Sequence, residues 1–138
     1  MSHDASRIAT MEPRSRAAFL ALILVQAAHS VEEHLFRLYD VLGPARYISE
    51  FTGFDRATVF AFGNTALVLF GLWCYFARVL PGHRSARAFA WFWALLEIAN
   101  ALNHIALATF LGGYSPGVAT APLLLATAAW LVLQLSRS

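Results

Sequence analysis

Four stretches of this chain are long and apolar enough to cross a lipid bilayer, and they limit the fold more than any other feature. They cover residues 17–36, 57–80, 86–111 and 118–135. Each is close to the ~20 residues that a hydrocarbon core about 30 Å thick requires. The stretches lack the alternation typical of strands, and an open sheet would leave backbone groups unpaired in lipid. We therefore expect helices.

Composition agrees with a membrane protein of one domain. Of the 138 residues, 59% are hydrophobic and 13% are charged, and both values depart from the averages of soluble proteins. The formal net charge of +2 is too small to favour nucleic acid as a partner. The single cysteine, Cys74, excludes an internal disulfide and is expected to pack among apolar neighbours.

The predicted fold is an all-α membrane protein, an antiparallel bundle of four transmembrane helices. Residues 1–16 are expected to form a polar N-terminal tail, and residues 17–138 a single transmembrane domain. Short turns make the second, third and fourth spans antiparallel neighbours. A short helix is expected at residues 47–51 in the first connector, and Pro122 is expected to kink the fourth span.

The arginines predict how the bundle is oriented. With four spans, both termini lie on one side of the membrane, and that side holds more of the arginines. Seven fall there and three on the other side: Arg7, Arg14, Arg16, Arg78, Arg84, Arg87 and Arg137, against Arg37, Arg46 and Arg56. Because basic loops stay in the cytoplasm, both termini are predicted to be cytoplasmic.

Two of the spans carry ionisable residues that lipid would not solvate. The first contains His29-Ser30-Val31-Glu32-Glu33, and the third contains a segment from Glu97 to His104. A charged side chain at the centre of a bilayer costs roughly 2.5–3.5 kcal/mol on insertion scales. A chain that keeps three carboxylates and two imidazoles there is expected to use them.

Helical geometry predicts that these residues share one depth. At a rise of ~1.5 Å per residue, His29 lies about 18 Å and Glu33 about 24 Å from the start of the first span. Asn64, Glu97 and His104 fall between the midplane and the outer leaflet by the same rise. The turn at 114–117 closes that end of the bundle.

The same geometry predicts which residues face inward. At about 100° per residue, His29, Glu32 and Glu33 share one face of the first helix, whereas His34 points away. On the third span Glu97, Asn100 and His104 share a face, with Asn103 at its edge. The catalytic candidates are therefore His29, Glu32, Glu33, Glu97 and His104. The candidates for binding or orienting a substrate are Asn64, Asn100, Asn103 and Tyr114.

Several kinds of chemistry fit such a site. Imidazole and carboxylate together bind zinc, iron or manganese, and one metal held by His29, Glu33, Glu97 and His104 is easier to support than two. A metal-free site could perform acid–base catalysis, because paired buried carboxylates repel and one becomes neutral. Haem held by the two histidines is less favoured, because acids crowd His29. Alternatively, the polar groups only bind the helices together by hydrogen bonds.

The motifs resemble a known family. His29-Ser30-Val31-Glu32-Glu33 matches the signature of the HXXEE-domain membrane proteins, and the segments 100–104 and 114–117 are similar to that family's later motifs. The resemblance covers about residues 17–135. It implies a small integral protein of the bacterial inner membrane, and it groups these residues into one site without naming a reaction.

These observations lead to one favoured function and one alternative. The favoured function is a membrane enzyme that acts on a small lipophilic, isoprenoid- or lipid-like substrate by acid–base or single-metal chemistry, such as isomerisation or cyclisation. The alternative is a non-enzymatic module that handles a ligand, haem, a proton or a solute. The expected partners are membrane lipids, a small lipophilic ligand and a second copy of the chain, and not nucleic acid.

Overall fold

The computed structural model describes residues 11–137, and every regular element in that range is helical. The five helices are α1 (Pro13–Leu35), α2 (Gly43–Thr52), α3 (Arg56–Cys74), α4 (Ala86–Leu111) and α5 (Ala121–Arg137). A 3₁₀ turn at Leu38–Asp40 precedes α2, and a π-helical turn at Tyr75–Val79 continues α3. The prediction of an all-α protein is confirmed.

Local sequence signals explain where the long helices begin and end. Pro13 lies in the first turn of α1, where a missing N–H costs no helical hydrogen bond. The carboxylate of Asp55 caps α3 by accepting the backbone N–H of Thr58 at 3.0 Å. Hydrogen bonds from the hydroxyl and N–H of Thr58 lower the pKa of Asp55. Gly112, with a φ of 67°, ends α4 in the left-handed conformation.

Three sequence-based boundaries can be compared with these helices. Residues 1–10 of the expected tail lie outside the described residues, and α1 begins at Pro13. The connector helix expected at 47–51 is present as part of α2. The last helix begins at Ala121 rather than at residue 118, so Pro122 lies in its first turn. A proline in the first turn interrupts no helical hydrogen bond, so at this position Pro122 gives no reason for a kink within α5.

Buried residues recur at intervals of three and four on three helices, as in coiled-coil seams. On α1 the seam consists of Phe19, Leu22, Gln26, His29 and Glu33. The seams of α4 and α5 consist of Ala90, Trp93, Glu97, Ala101 and His104, and of Ala121, Leu124, Ala128, Leu131 and Leu135. The interior is therefore apolar towards the start of α1 and polar towards its end.

Helix α5 packs along both α1 and α4, and α3 packs against α1. The seams of α1 and α4 thus face each other across the bundle interior. A guanidinium N–H of Arg87, near the start of α4, donates to the carbonyl of Leu135 at the end of α5 at 2.6 Å. Gly71 lets α3 approach α1 closely, because a Cβ there would lie 2.7 Å from Cδ1 of Ile23.

Two segments are long and apolar enough to cross a membrane, Arg56–Val79 and Ala86–Leu111. Helix α5 is apolar but has 17 residues. Helix α1 carries two arginines in its first turn and two glutamates in its last turns, and these lower its mean hydropathy. Length and composition therefore support two of the four expected spans.

Candidate functional site

Buried polar side chains of α1 and α4 meet at the end of the bundle that the 112–120 loop closes. His29, Glu33 and His104 each offer one ligand atom, and within the described chain these three atoms lie within 4.8 Å of one another. Nε2 of His104 is 2.9 Å from Oε1 of Glu33, and Nε2 of His29 is 3.5 Å from the same oxygen. The two imidazoles meet edge to face at 4.8 Å between centroids. We call these three residues the His–Glu–His cluster.

The spacing in the cluster suits ligands of a single metal ion. Zinc–nitrogen and zinc–oxygen bonds of about 2.0–2.1 Å in a tetrahedron place neighbouring ligand atoms roughly 3.3 Å apart. The two imidazole–carboxylate distances, 2.9 and 3.5 Å, lie on either side of that value, and the ligand atoms of the two imidazoles lie within 4.8 Å of each other. Two histidines and one glutamate form a ligand set of catalytic zinc sites that keep one position open, and a similar set holds ferrous iron.

Thr120 fixes the orientation of the His29 ring. Its hydroxyl donates to Oε2 of Glu32 and lies 2.6 Å from Nδ1 of His29. A hydroxyl carries one proton, so Nδ1–H of His29 donates to the threonine oxygen, and in the neutral imidazole this tautomer leaves the lone pair on Nε2. That lone pair is on the nitrogen nearest Glu33, as a ligand requires. Metal-binding histidines commonly donate their second N–H to such a partner.

Glu32 anchors the 112–120 loop instead of joining the cluster. Its carboxylate accepts the hydroxyl of Tyr114 at 2.6 Å and the backbone N–H groups of Gly117, Ala119 and Thr120 at 3.2, 3.1 and 2.9 Å. Partial burial and the nearby carboxylate raise the pKa of Tyr114 to about 12. The phenol therefore remains a hydrogen-bond donor at neutral pH.

Gly117 packs directly on the cluster. A Cβ added there would lie 2.6 Å from both Cε1 and Nδ1 of His104 and 2.9 Å from Cε1 of His29. The residue has a φ of 92°, a conformation that favours glycine. Backbone without a side chain is therefore what allows the loop to cover both imidazoles.

Comparison with known proteins places the chain in a family. A family model described as "Protein of unknown function with HXXEE motif" matches residues 20–131. The chain belongs to the HXXEE family. The resemblance drawn from its motifs is thus confirmed. No curated protein and no solved structure matches the chain.

In this HXXEE protein the motif residues divide between two tasks. His29 and Glu33, one helical turn apart, join His104 in the cluster. Glu32 points to the loop and positions His29 indirectly through Thr120. The motif therefore supplies two of the three candidate ligands, and it also supplies the carboxylate that anchors the covering loop.

Glu97 lies apart from the cluster on the same seam of α4. It is fully buried, and its Oε2 accepts from Nδ2 of Asn100 at 3.2 Å. Its Oε1 has no hydrogen-bond partner among residues 11–137. Glu97 is not among the three residues whose ligand atoms lie within 4.8 Å, and it lies two helical turns before His104 on the buried face of α4. The sequence predicted four ligands, and the structure brings three of them together, His29, Glu33 and His104, without Glu97.

Two residues expected in the site lie elsewhere in this HXXEE protein. Asn64 lines a groove between α1 and α3, on the side of α1 that His34 faces. Asn103 is exposed on the outside of α4. The prediction for Asn64 used only its depth along the helix axis. Because α3 is apolar on most sides, its sequence did not indicate which side faces the bundle interior. Asn103 was at the edge of the polar face, and the fold turns that edge outward.

Sequence reasoning missed Thr120 and the role of Gly117. Thr120 stands just before Ala121-Pro122, and a threonine at such a position is typical of the start of a helix. The pattern therefore indicated a helix boundary and not a contact with His29. Gln26 was also passed over, although it is buried on the α1 seam and its Nε2 donates to Oγ of Ser30 at 3.1 Å.

Proposed function

We propose that this protein is an integral membrane enzyme in which His29, Glu33 and His104 bind one divalent metal ion and act on a small lipophilic substrate. The observation that carries the proposal is the His–Glu–His cluster. Three buried ligand atoms from two helices lie within 4.8 Å, and Thr120 orients one of the imidazoles for coordination. Buried groups of this kind are costly unless they are paired or bind a metal.

The distribution of apolar surface supports insertion in a membrane. The most apolar windows of the two candidate spans are only 11% and 22% buried inside the bundle, whereas the core helix of a soluble protein would be mostly buried. Large apolar side chains face outward on every long helix, with Phe62 and Phe110 68% and 88% exposed. Soluble monomers rarely expose apolar patches on this scale.

The arginines support the same arrangement. Every arginine among residues 11–137 lies at or near a helix end, and the central turns of the long helices hold none. Six lie at the end where α1 begins, and three lie at the opposite end: Arg14, Arg16, Arg78, Arg84, Arg87 and Arg137, against Arg37, Arg46 and Arg56. Four spans with both termini in the cytoplasm satisfy this bias.

The chemistry follows from the ligand set and its surroundings. A metal ion held by these three side chains would have a position open for a substrate oxygen and would supply a Lewis acid there. Glu97 is a buried carboxyl with one oxygen free of protein partners in the described chain, and we assign it to proton transfer. A lipophilic substrate would reach this site from the bilayer. Isomerisation of an oxygen-bearing lipid by a proton shift would need a Lewis acid at the oxygen and a carboxylate that removes one proton and returns it at another carbon, so that Glu97 ends in its starting state.

The proposal can be tested without knowing the substrate. The wild-type protein, reconstituted with Zn²⁺ or Fe²⁺ into vesicles of total bacterial lipid extract, should convert one lipid species to another, as followed by liquid chromatography coupled to mass spectrometry, which separates isomers of equal mass. Glu33→Gln should abolish the conversion, whereas Glu50→Gln, an exposed glutamate paired with Arg46, should retain it. Identical chromatographic lipid profiles with wild type and Glu33→Gln would rule out this activity.

One observation favours a second candidate, a non-enzymatic module. The 2.9 Å contact between His104 and Glu33 is a good hydrogen bond in itself, so the cluster could hold α1 and α4 together without metal. Under this alternative, purified protein contains no stoichiometric metal, and substitutions in the cluster lower stability alone.

A further inference from the structure

The connection between α3 and α4 holds two polar side chains that meet at the surface of the bundle. Nη1 of Arg78 lies 3.2 Å from Nε2 of His83. The backbone N–H of His83 donates to the carbonyl of Arg78 at 2.9 Å, so the main chain keeps the two residues together. The Arg78 guanidinium also lies over the Trp73 ring, with Cζ 5.0 Å from the ring centroid. This cation–π contact and the turn hold the guanidinium in place.

The backbone of Ser85 determines which nitrogen of His83 carries the proton. The Ser85 N–H points at Nδ1 of the imidazole at 3.2 Å, so Nδ1 accepts a hydrogen bond. The Ser85 hydroxyl, 2.8 Å from the same nitrogen, can rotate to donate, whereas the direction of a backbone N–H is fixed. An imidazole whose Nδ1 accepts carries its proton on Nε2 in the neutral form. Nε2–H of His83 and Nη1–H of Arg78 are therefore two donors that converge, and a shared acceptor oxygen satisfies both.

The charge around this pair favours an anion as the acceptor. No acidic residue occurs among residues 57–96, which include Arg78, Arg84 and Arg87. Glu12 is the one acidic residue that the described chain has at this end of the bundle. Arg84 follows His83 directly, is exposed, and adds a positive charge. Guanidinium and imidazole N–H groups are common donors to phosphate oxygens, and these bonds are strong because the acceptor is charged.

Apolar surface continues from this pair along the outside of α3 and the π-helical turn. Trp73, Phe76 and Leu80 are all exposed, and their spacing of three and four residues places them on one side of the helix. A phosphate bound by Arg78 and His83 would therefore lie where a polar turn meets an apolar surface. The phosphate of a phospholipid occupies such a border, and tryptophan is enriched there.

We propose that Arg78 and His83 bind a phosphate oxyanion, the group that phospholipid headgroups and inorganic phosphate share. One phosphate oxygen accepts from Nη1 of Arg78 and from Nε2 of His83, and Arg84 adds charge. The site lies at the end of the bundle opposite the His–Glu–His cluster, and it goes beyond the proposed enzymatic function. It does not depend on a metal ion in that cluster.

Titrations of the full-length protein in a neutral detergent test the site. The probes are dioctanoyl phosphatidylglycerol, dioctanoylglycerol, which lacks the phosphate, and inorganic phosphate. NMR signals of the His83 ring, recorded on protein with isotope-labelled histidine and assigned with His83→Asn, report binding. Phosphatidylglycerol should shift these signals to saturation, whereas dioctanoylglycerol should not. Tighter binding of the lipid than of inorganic phosphate identifies a headgroup site, and equal or tighter binding of phosphate identifies a site for the free anion.

Two results would overturn the proposal. The first is the absence of a shift with both phosphate-bearing probes. The second is an equal shift with dioctanoylglycerol, which would show that the lipid binds through its acyl chains alone. Both results come from the wild-type protein, so they stand whether or not any variant folds.

Variants show whether the predicted side chains make the site. Arg78→Gln should weaken binding of phosphatidylglycerol, measured by calorimetry, at least about tenfold, as expected for the loss of a hydrogen bond to a charged acceptor. His83→Ala should weaken it as well. The matched control is Arg137→Gln, which removes a charge at the same end from α5, a helix that does not pack against the π-helical turn. Equal losses in Arg78→Gln and Arg137→Gln would show that only net charge matters and would contradict the site.

Discussion

Nε2 of His104 lies 2.9 Å from Oε1 of Glu33, and this contact joins α4 to α1 across the bundle interior. The two helices pack mainly against α5 rather than against each other. The contact therefore depends on α5 and on the loop before it to keep the two helices in register. Substitutions in that loop should change the cluster without touching its members.

Gly117→Ala should weaken metal binding at least about tenfold, as losses of supporting contacts commonly do. Its Cβ would meet both imidazoles, the nearest atoms being 2.6 Å away in His104. The matched control is Gly112→Ala, which has a left-handed φ of 67° but nothing within 4 Å of the new Cβ. Competition with a chromogenic chelator measures both affinities. Equal affinities in the two variants would show that contact of the new Cβ with the imidazoles does not weaken metal binding.

Thr120→Val should lower metal affinity by about 10–100-fold while the protein stays folded. Valine keeps the branched shape but removes the hydroxyl that links His29 to Glu32, so the His29 ring loses its fixed tautomer. Thr127→Val is the control, because the Thr127 hydroxyl bonds only to carbonyls of its own helix. If both variants bind metal as tightly as wild type, Thr120 does not position His29.

Glu32→Gln should lower the free energy of unfolding by about 2–3 kcal/mol, because buried hydrogen bonds to a charged acceptor are lost. In the glutamine, one carboxylate oxygen is replaced by an NH₂ group, which cannot accept a hydrogen bond. Donors that now meet a carboxylate oxygen, such as the hydroxyl of Tyr114, would then face another donor. Denaturant titration in detergent measures the change, with the exposed Glu50→Gln as control. A midpoint equal to that of the control would show that Glu32 is not the anchor of the loop.

The sequence was sufficient for the parts of the site that lie on single helices. His29 and Glu33 are four residues apart, so any α-helix places them on one face. Glu97, Asn100 and His104 are spaced three and four residues apart, and the inward direction of that face was predicted from the cost of exposing such groups to lipid. These local rules also predicted that His34 points away, and the structure places it in the α1–α3 groove.

Contacts between distant segments could not be predicted in this way. Glu32 is on the edge of the same helical face as His29, and only the path of the 112–120 loop turns it into a loop anchor. The nearness of Thr120 to His29, which is 91 residues earlier, depends on how α5 packs along α1. Glu97 and His104 share a seam, but two helical turns separate them, so a helical wheel overstated their proximity.

The metal content of the purified protein tests the central claim most directly. Elemental analysis after purification without chelators should find about one divalent metal ion per chain, as three protein ligands with one open position imply. His29→Ala and His104→Ala should each lose that metal, whereas His34→Ala, which changes a histidine of α1 outside the cluster, should retain it. Wild-type protein without stoichiometric metal, or cluster variants that keep it, would contradict the assignment of the cluster as a metal site.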